Sequence, residues 1–561
     1  MANGTNLTKS RRALMERGEA NGAALAVTSL IERGVTTVFG LPGIQLDAFF
    51  SALYDHRSRI TVIDSRHEQG AAYMALGYAE ATGKPGVFTV VPGPGMLNAG
   101  AAIATAYACG SPMLALIGQV QSTRIGEGHG ELHELPDQAG IVSRLVRSHE
   151  LVLSPQRVSP AIHNALDALE RPGAGPAAIE LPPDVLAARL PADSPPANTA
   201  PNAAHSEKQD SNELASLAEL IRGARRPIIF AGRGAAAAAD ELRRLAHRCG
   251  IPVVAQGRAK GILDDRDPLS LNYLSAAELW SGCDLAIAVG TRMKHPLRAW
   301  PRPQGMQLVV IDIDPLSAPA IGEADLFIRS DARMALAGLM ELLPDLPVSF
   351  RPEILAAKKS AAAKMECGLA PQMAMLRAIR AVLPEDGIIV TDYTQVGYVA
   401  NAAFPASQAG NLITSGYQGT LGYAFPTAIG AKVAHPNRQV VAIAGDGGFL
   451  FAATELATAV KHRIGVVTLV FNDGRFGNVR RIQETVYGGR VIATDLTNPD
   501  FLAFAKSFGA YGERARTPAE LEQALNAAFG RDLPTVIEVP VGEFPDPWPL
   551  ILPQLPDSAV R

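Results

Sequence analysis

The stretch Val440-Val441-Ala442-Ile443-Ala444-Gly445-Asp446-Gly447-Gly448, followed by Val466-Val467-Thr468-Leu469-Val470-Phe471-Asn472-Asp473, decides the reading of this chain. The first apolar run is short and β-branched, as a buried parallel strand requires, and its glycines let the backbone turn sharply and approach an anion. Glu455-Leu456-Ala457-Thr458-Ala459-Val460 reads as a helix. The second run is another buried strand, so the pattern strand, turn, helix, strand brings Asp446 and Asp473 to one sheet edge. Hard oxygen ligands beside glycine amides suit Mg²⁺, which favours carboxylates together with ligand phosphates.

Outward from this stretch, 561 residues are too many for one core and predict three domains of roughly 150 to 200 residues each. With 47% hydrophobic residues, 19% charged residues and a net charge of −4, the chain has no basic footprint for nucleic acid. Met1 to Ala20 has no apolar core of signal-peptide length and no apolar run is long enough to span a membrane, so a cytoplasmic protein is expected. Cys109, Cys249, Cys283 and Cys367 form no Cys-x-x-Cys pair and read as small core residues.

Alternating strand and helix signals predict an α/β fold of three doubly wound domains with parallel sheets. Their expected limits are 13–190, 213–345 and 372–545, with linkers at 191–212 and 346–371 and a tail at 546–561. Three blocks of similar size suggest duplication at the level of the fold. Gly232-Arg233-Gly234 follows a strand, but a lone Gly-x-Gly is better read as a tight turn than as a dinucleotide site.

The Gly445 to Asp473 stretch resembles the diphosphate-binding motif of thiamine diphosphate enzymes. Asp64-Ser65-Arg66-His67-Glu68-Gln69-Gly70-Ala71-Ala72 and Val91-Pro92-Gly93-Pro94-Gly95-Met96-Leu97-Asn98 are similar to the segments that carry the activating glutamate and the following glycine-rich turn in acetolactate synthases and their relatives. The resemblance implies thiamine diphosphate and Mg²⁺, with Asp446, Asp473 and the Arg475 carbonyl as metal ligands. Asp473 departs from the family's usual Asn and adds a negative charge beside the diphosphate. By the same resemblance Glu68 favours the cofactor tautomer that can take the thiazolium proton, and Leu421, in Ser415-Gly416-Tyr417-Gln418-Gly419-Thr420-Leu421, is the wedge that bends the cofactor. Pro94, Asn98, Thr394, Gln395, Gly419, Gly445, Gly447, Gly448 and Phe476 complete the implied cofactor site. In relatives the glutamate domain of one chain faces the diphosphate domain of another, which implies a homodimer or homotetramer with active sites between subunits.

The implied reaction is decarboxylation of a small 2-oxo acid. Whole-chain likeness tips the reading towards carboligation to a second carbonyl, as in acetolactate synthases. The alternative is a decarboxylase releasing an aldehyde from a larger or cationic 2-oxo acid. Two departures favour it: Ile482 stands where those synthases present a tryptophan, and His133 stands where they carry an active-site glutamine. A histidine there could relay protons or hold a carboxylate. His129 reads as a solvated neighbour in the same loop. Glu127, Glu131 and Glu134 would suit a cationic substrate, although a solvated charge cluster is the plainer reading. Gly290-Thr291-Arg292-Met293-Lys294-His295-Pro296 lacks the acidic pair and arginine of the synthases' flavin region, which argues against FAD. The end segment, Glu543 to Trp548, reads as a proline-fixed tail on the surface or a cover over the site. A catalytically silent paralogue is the third reading, and intact Glu68, Asp446 and Asp473 argue against it.

Overall fold

The computed structural model describes residues 21–171, 173–190, 211–314, 324–346 and 350–556. The expected linker 191–212 lies almost wholly outside them. Three six-stranded parallel sheets form, as the alternating signals predict. The first holds β1 (Thr37–Gly40), β2 (Thr61–Asp64), β3 (Gly86–Val90), β4 (Met113–Gly118), β5 (Ser148–Leu151) and β6 (Ala177–Leu181). The second holds β7 (Pro227–Ala231), β8 (Val253–Ala255), β9 (Ser270–Leu271), β10 (Leu285–Val289), β11 (Gln307–Asp312) and β12 (Leu326–Arg329). The third holds β13 (Ile388–Thr391), β14 (Leu412–Thr414), β15 (Val440–Gly445), β16 (Val467–Asn472), β17 (Tyr511–Arg514) and β18 (Thr535–Pro540).

Strand order separates the domains. The first and third sheets share one order, β2-β1-β3-β4-β6-β5 and β14-β13-β15-β16-β18-β17, whereas the middle sheet runs β12-β11-β10-β7-β8-β9. Duplication at the level of the fold therefore describes the outer pair and not all three. The middle order is that of dinucleotide-binding folds, yet the turn after β7 is closed by packing. A Cβ at Gly232 would stand 2.2 Å from the Gly290 carbonyl oxygen, and one at Gly234 would stand 2.7 Å from the Gly290 Cα.

The outer domains share a core. Phe39, Phe88 and Met96 of the first pack in one cluster with Ile388, Tyr423, Phe425 and Phe449 of the third. Two helices, Glu68–Thr82 and Ala424–Ala434, bring them together. A Cβ at Gly77 would lie 1.9 Å from the Thr427 carbonyl oxygen and one at Gly430 would lie 1.8 Å from that of Met74, so only glycine permits this backbone approach. The Tyr73 and Tyr423 rings meet edge to face at 5.4 Å beside the crossing.

A buried ion cluster fastens the middle domain to the first. Arg233, in the Gly232–Gly234 turn, reaches Glu80 at 3.2 Å and the Gly110 carbonyl at 2.6 Å. Arg258 bonds the same carboxylate and donates to the Cys109 carbonyl at 2.7 Å. The chain end also returns to the middle domain, where the Trp300 indole donates to the Pro553 carbonyl at 2.7 Å.

Two expectations change. The segment read as a linker at 346–371 carries the helix Arg351–Gly368, which buries Ile354, Ala357, Ala361 and Met365. Its inward stripe is half alanine, so the composition hides the periodicity. Cys367, read as a core residue, is exposed, while the other three cysteines are buried. No helix among the described residues is long and apolar enough to cross a membrane.

Candidate active site

At the C-terminal edge of the third sheet, neighbouring strands β13, β15 and β16 deliver Thr394, Asp446 and Asp473 to one crevice. In open parallel sheets ligands bind at this edge. Gly445 ends β15, and the helix Asp446–Leu450 starts at once. Two of the glycines are demanded by their neighbours: a Cβ at Gly447 would meet the Phe476 ring at 2.5 Å and one at Gly448 would meet an Asp392 carboxylate oxygen at 2.9 Å, whereas one at Gly445 would make only ordinary contact with Thr394 at 3.5 Å. Gln395 starts the next helix, and its buried Oε1 has no hydrogen-bond partner among the described residues.

Asp446 is only 2% exposed, and its Oδ2 accepts from Asn498 Nδ2 at 2.6 Å and the Gly474 amide at 3.0 Å. Asp473 accepts the Arg475 amide at 3.2 Å. Burial raises the Asp446 carboxyl above the usual range. Burial, with the Asp446 charge, pushes Asp473 up to about 6. Among the described residues no group of three or more His, Cys, Asp or Glu side chains could hold a metal unaided. A buried and a half-buried carboxylate, both raised by desolvation, fit a divalent cation whose remaining ligands would be a main-chain carbonyl and phosphate oxygens.

The loop proposed for the wedge turns through left-handed glycines, Gly419 at φ 62° and Gly422 at φ 76°, which leaves Leu421 half-buried between them. Asp392 holds this loop. Its Oδ2 accepts the Gly422 amide at 3.2 Å while lying against Gly448, and burial pushes its carboxyl up to about 6. Sequence reasoning missed Asp392. The signal available was a lone acid at the end of the apolar run Ile388–Thr391.

The second group stands on the first sheet. Glu68 opens the helix Glu68–Thr82, where the His67 ring accepts the Gln69 amide at 3.1 Å. Asn98, exposed in the helix Pro94–Cys109, donates to Glu68 Oε2 at 2.9 Å. Pro94 is the first residue of that helix, after Gly93 at φ 57°. His133 lies behind this turn: a Cβ at Gly93 would stand 2.4 Å from its carbonyl oxygen. His133 itself has a left-handed backbone at φ 68°, and its buried Nδ1 has no partner among the described residues. Glu68, Pro94, Asn98 and His133 therefore form one group, and Thr394 to Phe476 the other. Among the described residues Glu68 bonds no side chain of the second group.

The acidic loop turns its carboxylates on itself. Glu134 accepts the amides of Gly128, Gly130 and Glu131 at 2.8 to 3.0 Å, while Glu127 pairs with Arg124 and His129. These acids shape the loop. The tail beyond Pro545 packs on the helix Gly477–Thr485, where the Trp548 indole donates to Asn478 at 2.9 Å and Arg481 pairs with Asp546 at 3.0 Å.

Three family models match in the order of the domains: the N-terminal thiamine pyrophosphate binding domain at 20–141, the central domain at 214–339 and the C-terminal thiamine pyrophosphate binding domain at 392–539. The chain belongs to the thiamine pyrophosphate enzyme family. It is 36% identical over 540 residues to a probable 2-ketoarginine decarboxylase, AruI, of Pseudomonas aeruginosa, covering 92% of this chain and 93% of that one. It is 32% identical over 546 residues to a probable acetolactate synthase large subunit of Methanocaldococcus jannaschii, covering 92% and 91%. Against the acetolactate synthase isozyme 2 large subunit of Escherichia coli it is 29% identical over 549 residues, covering 96% and 98%. As a thiamine pyrophosphate enzyme this protein breaks or forms carbon–carbon bonds.

Proposed function

We propose that this enzyme decarboxylates a 2-oxo acid longer than pyruvate and releases the aldehyde, a reaction that consumes one proton for each CO₂ lost. The observation that carries the reading is His133, whose backbone lies against the Gly93 turn that precedes Pro94 and whose buried Nδ1 has no partner among the described residues. A group that delivers a proton to the carbon losing CO₂ favours the aldehyde over attack on a second carbonyl. Ile482, 43% exposed on the helix Gly477–Thr485, supports a longer substrate, because it replaces a bulky indole with a small side chain. Likeness to a 2-ketoarginine decarboxylase over 92% of the chain supports the same reading.

When bound, thiamine pyrophosphate supplies the electron sink for the breaking carbon–carbon bond. In this reading Glu68, oriented by Asn98, would exchange a proton with the cofactor's pyrimidine, and Leu421 would pack against the cofactor. The tight turn through Gly445, Gly447 and Gly448 would seat the diphosphate, while Asp446, Asp473 and the Arg475 carbonyl would hold Mg²⁺. The site forms between two copies. Exposed apolar side chains flank both groups, Leu97 and Leu132 beside Glu68 and His133, Tyr417 and Phe451 beside Leu421 and Asp446, as two faces of one interface would.

A second reading, carboligation to acetolactate, is supported by 29 to 32% identity with acetolactate synthases along nearly the whole chain. Substrate competition separates the two. With Mg²⁺ and cofactor present, 5-guanidino-2-oxopentanoate should exceed pyruvate in kcat/KM by roughly tenfold or more and give equal CO₂ and aldehyde. Acetolactate as the main product from pyruvate would overturn the proposal.

A further inference from the structure

One buried acid of the third domain is unaccounted for by the site. Glu455, nine residues after Asp446 in the sequence and 0% exposed, does not face the cofactor crevice's ligands but reaches into the first domain. Its Oε1 accepts the Arg66 amide at 3.1 Å and the His67 amide at 3.0 Å, and its Oε2 accepts the Arg66 amide at 3.1 Å and the Thr458 hydroxyl at 2.7 Å. These two amides immediately precede Glu68, at the end of the helix where backbone N–H groups lack partners and where negative charge is favoured. Space for the carboxylate comes from Gly70, where a Cβ would stand 2.2 Å from Glu455 Oε1. A glycine inside a helix weakens it relative to alanine, so its presence in the first turn answers to this close approach.

We infer that Glu455 is a positioning residue for Glu68: by accepting the Arg66 and His67 amides it fixes the first turn of the Glu68 helix against the diphosphate-binding domain of the same chain. Asn98 then orients the Glu68 carboxylate locally, and Glu455 sets where its backbone stands. Displacement of a catalytic group by about 1 Å can cost on the order of 100-fold in rate, which is the scale expected if the anchor is lost. The inference rests on the reading that Glu68 activates the cofactor.

The test compares Glu455→Ala, Glu455→Gln and Gly70→Ala by two readouts. In the cofactor-free protein, hydrogen–deuterium exchange across residues 64–70 should accelerate in Glu455→Ala. In the loaded enzyme, exchange of the cofactor's C2 proton should slow by on the order of 100-fold with cofactor affinity nearly unchanged. Glu455→Gln keeps an Oε1 that accepts both amides and should restore both readouts. Gly70→Ala, which retains the acid but displaces it, should behave as Glu455→Ala and carries the same expectation if that variant does not fold. Normal amide protection or normal C2 exchange in both Glu455→Ala and Gly70→Ala would overturn the inference, as would Glu455→Gln no better than alanine. Glu68→Gln separates the underlying reading: unchanged C2 exchange in that variant rejects the role of Glu68 itself.

Discussion

In the proposed reading Glu68 is the side chain on which the chemistry turns. Glu68→Gln keeps the bond to Asn98 but removes the charge, so turnover should fall by roughly 10²–10⁴-fold while calorimetry shows retained cofactor binding. If Ile482 borders the substrate's chain as proposed, Ile482→Trp should lower kcat/KM for a long 2-oxo acid by about tenfold or more and spare pyruvate, as steady-state kinetics would show. The placement of Glu68 at a helix start and of Asp446 and Asp473 beyond strand ends was legible in the sequence because each sits in a local motif. Asp392 and Glu455 were not, because their partners are the Gly422 amide, 30 positions away, and the Arg66 amide, 389 positions away. No local pattern encodes such a contact.

At the scale of elements, the crossing of Glu68–Thr82 with Ala424–Ala434 is the joint between the two catalytic domains. Added methyl groups at Gly77 or Gly430 would meet backbone carbonyls below 2 Å, which no side-chain rotation relieves. Gly77→Ala and Gly430→Ala should each destabilise the protein by about 1–3 kcal/mol or more in urea unfolding, whereas Gly100→Ala, with open space around it, should not. The long central strands were readable as β-branched apolar runs. Three edge strands were not: Ser270–Leu271 and Leu412–Thr414 are too short to show alternation, and Tyr511–Arg514 is too polar. For the acidic loop, composition reported the charge but not that Glu134 spends its oxygens on its own loop's amides.

Across the whole molecule, three domains meet the solvent as one body through buried polar joints, of which the Glu80 cluster is the clearest. Burial pushes the Glu80 carboxyl up, but the Arg233 and Arg258 charges and the Ser111 hydroxyl outweigh it and hold it at about 2, below its ordinary 4.5. A carboxyl depressed in the folded state contributes stability that is fully present above about pH 4.5 and is lost as pH falls towards 2. Glu80→Gln should therefore cost about 3–5 kcal/mol at pH 7, because two buried guanidiniums lose their counter-charge, and the gap from wild type should close on acidification. Three α/β blocks were visible in the sequence, but strand order was not, because it depends on which crossover each helix makes. The central claim, that the carbon losing CO₂ is protonated by the enzyme, is tested most directly by turning over a long 2-oxo acid in D₂O and following products by proton and deuterium NMR. The account predicts an aldehyde carrying one deuteron at C1 in a 1:1 ratio to CO₂, and a 2-hydroxy ketone as the main product would contradict it.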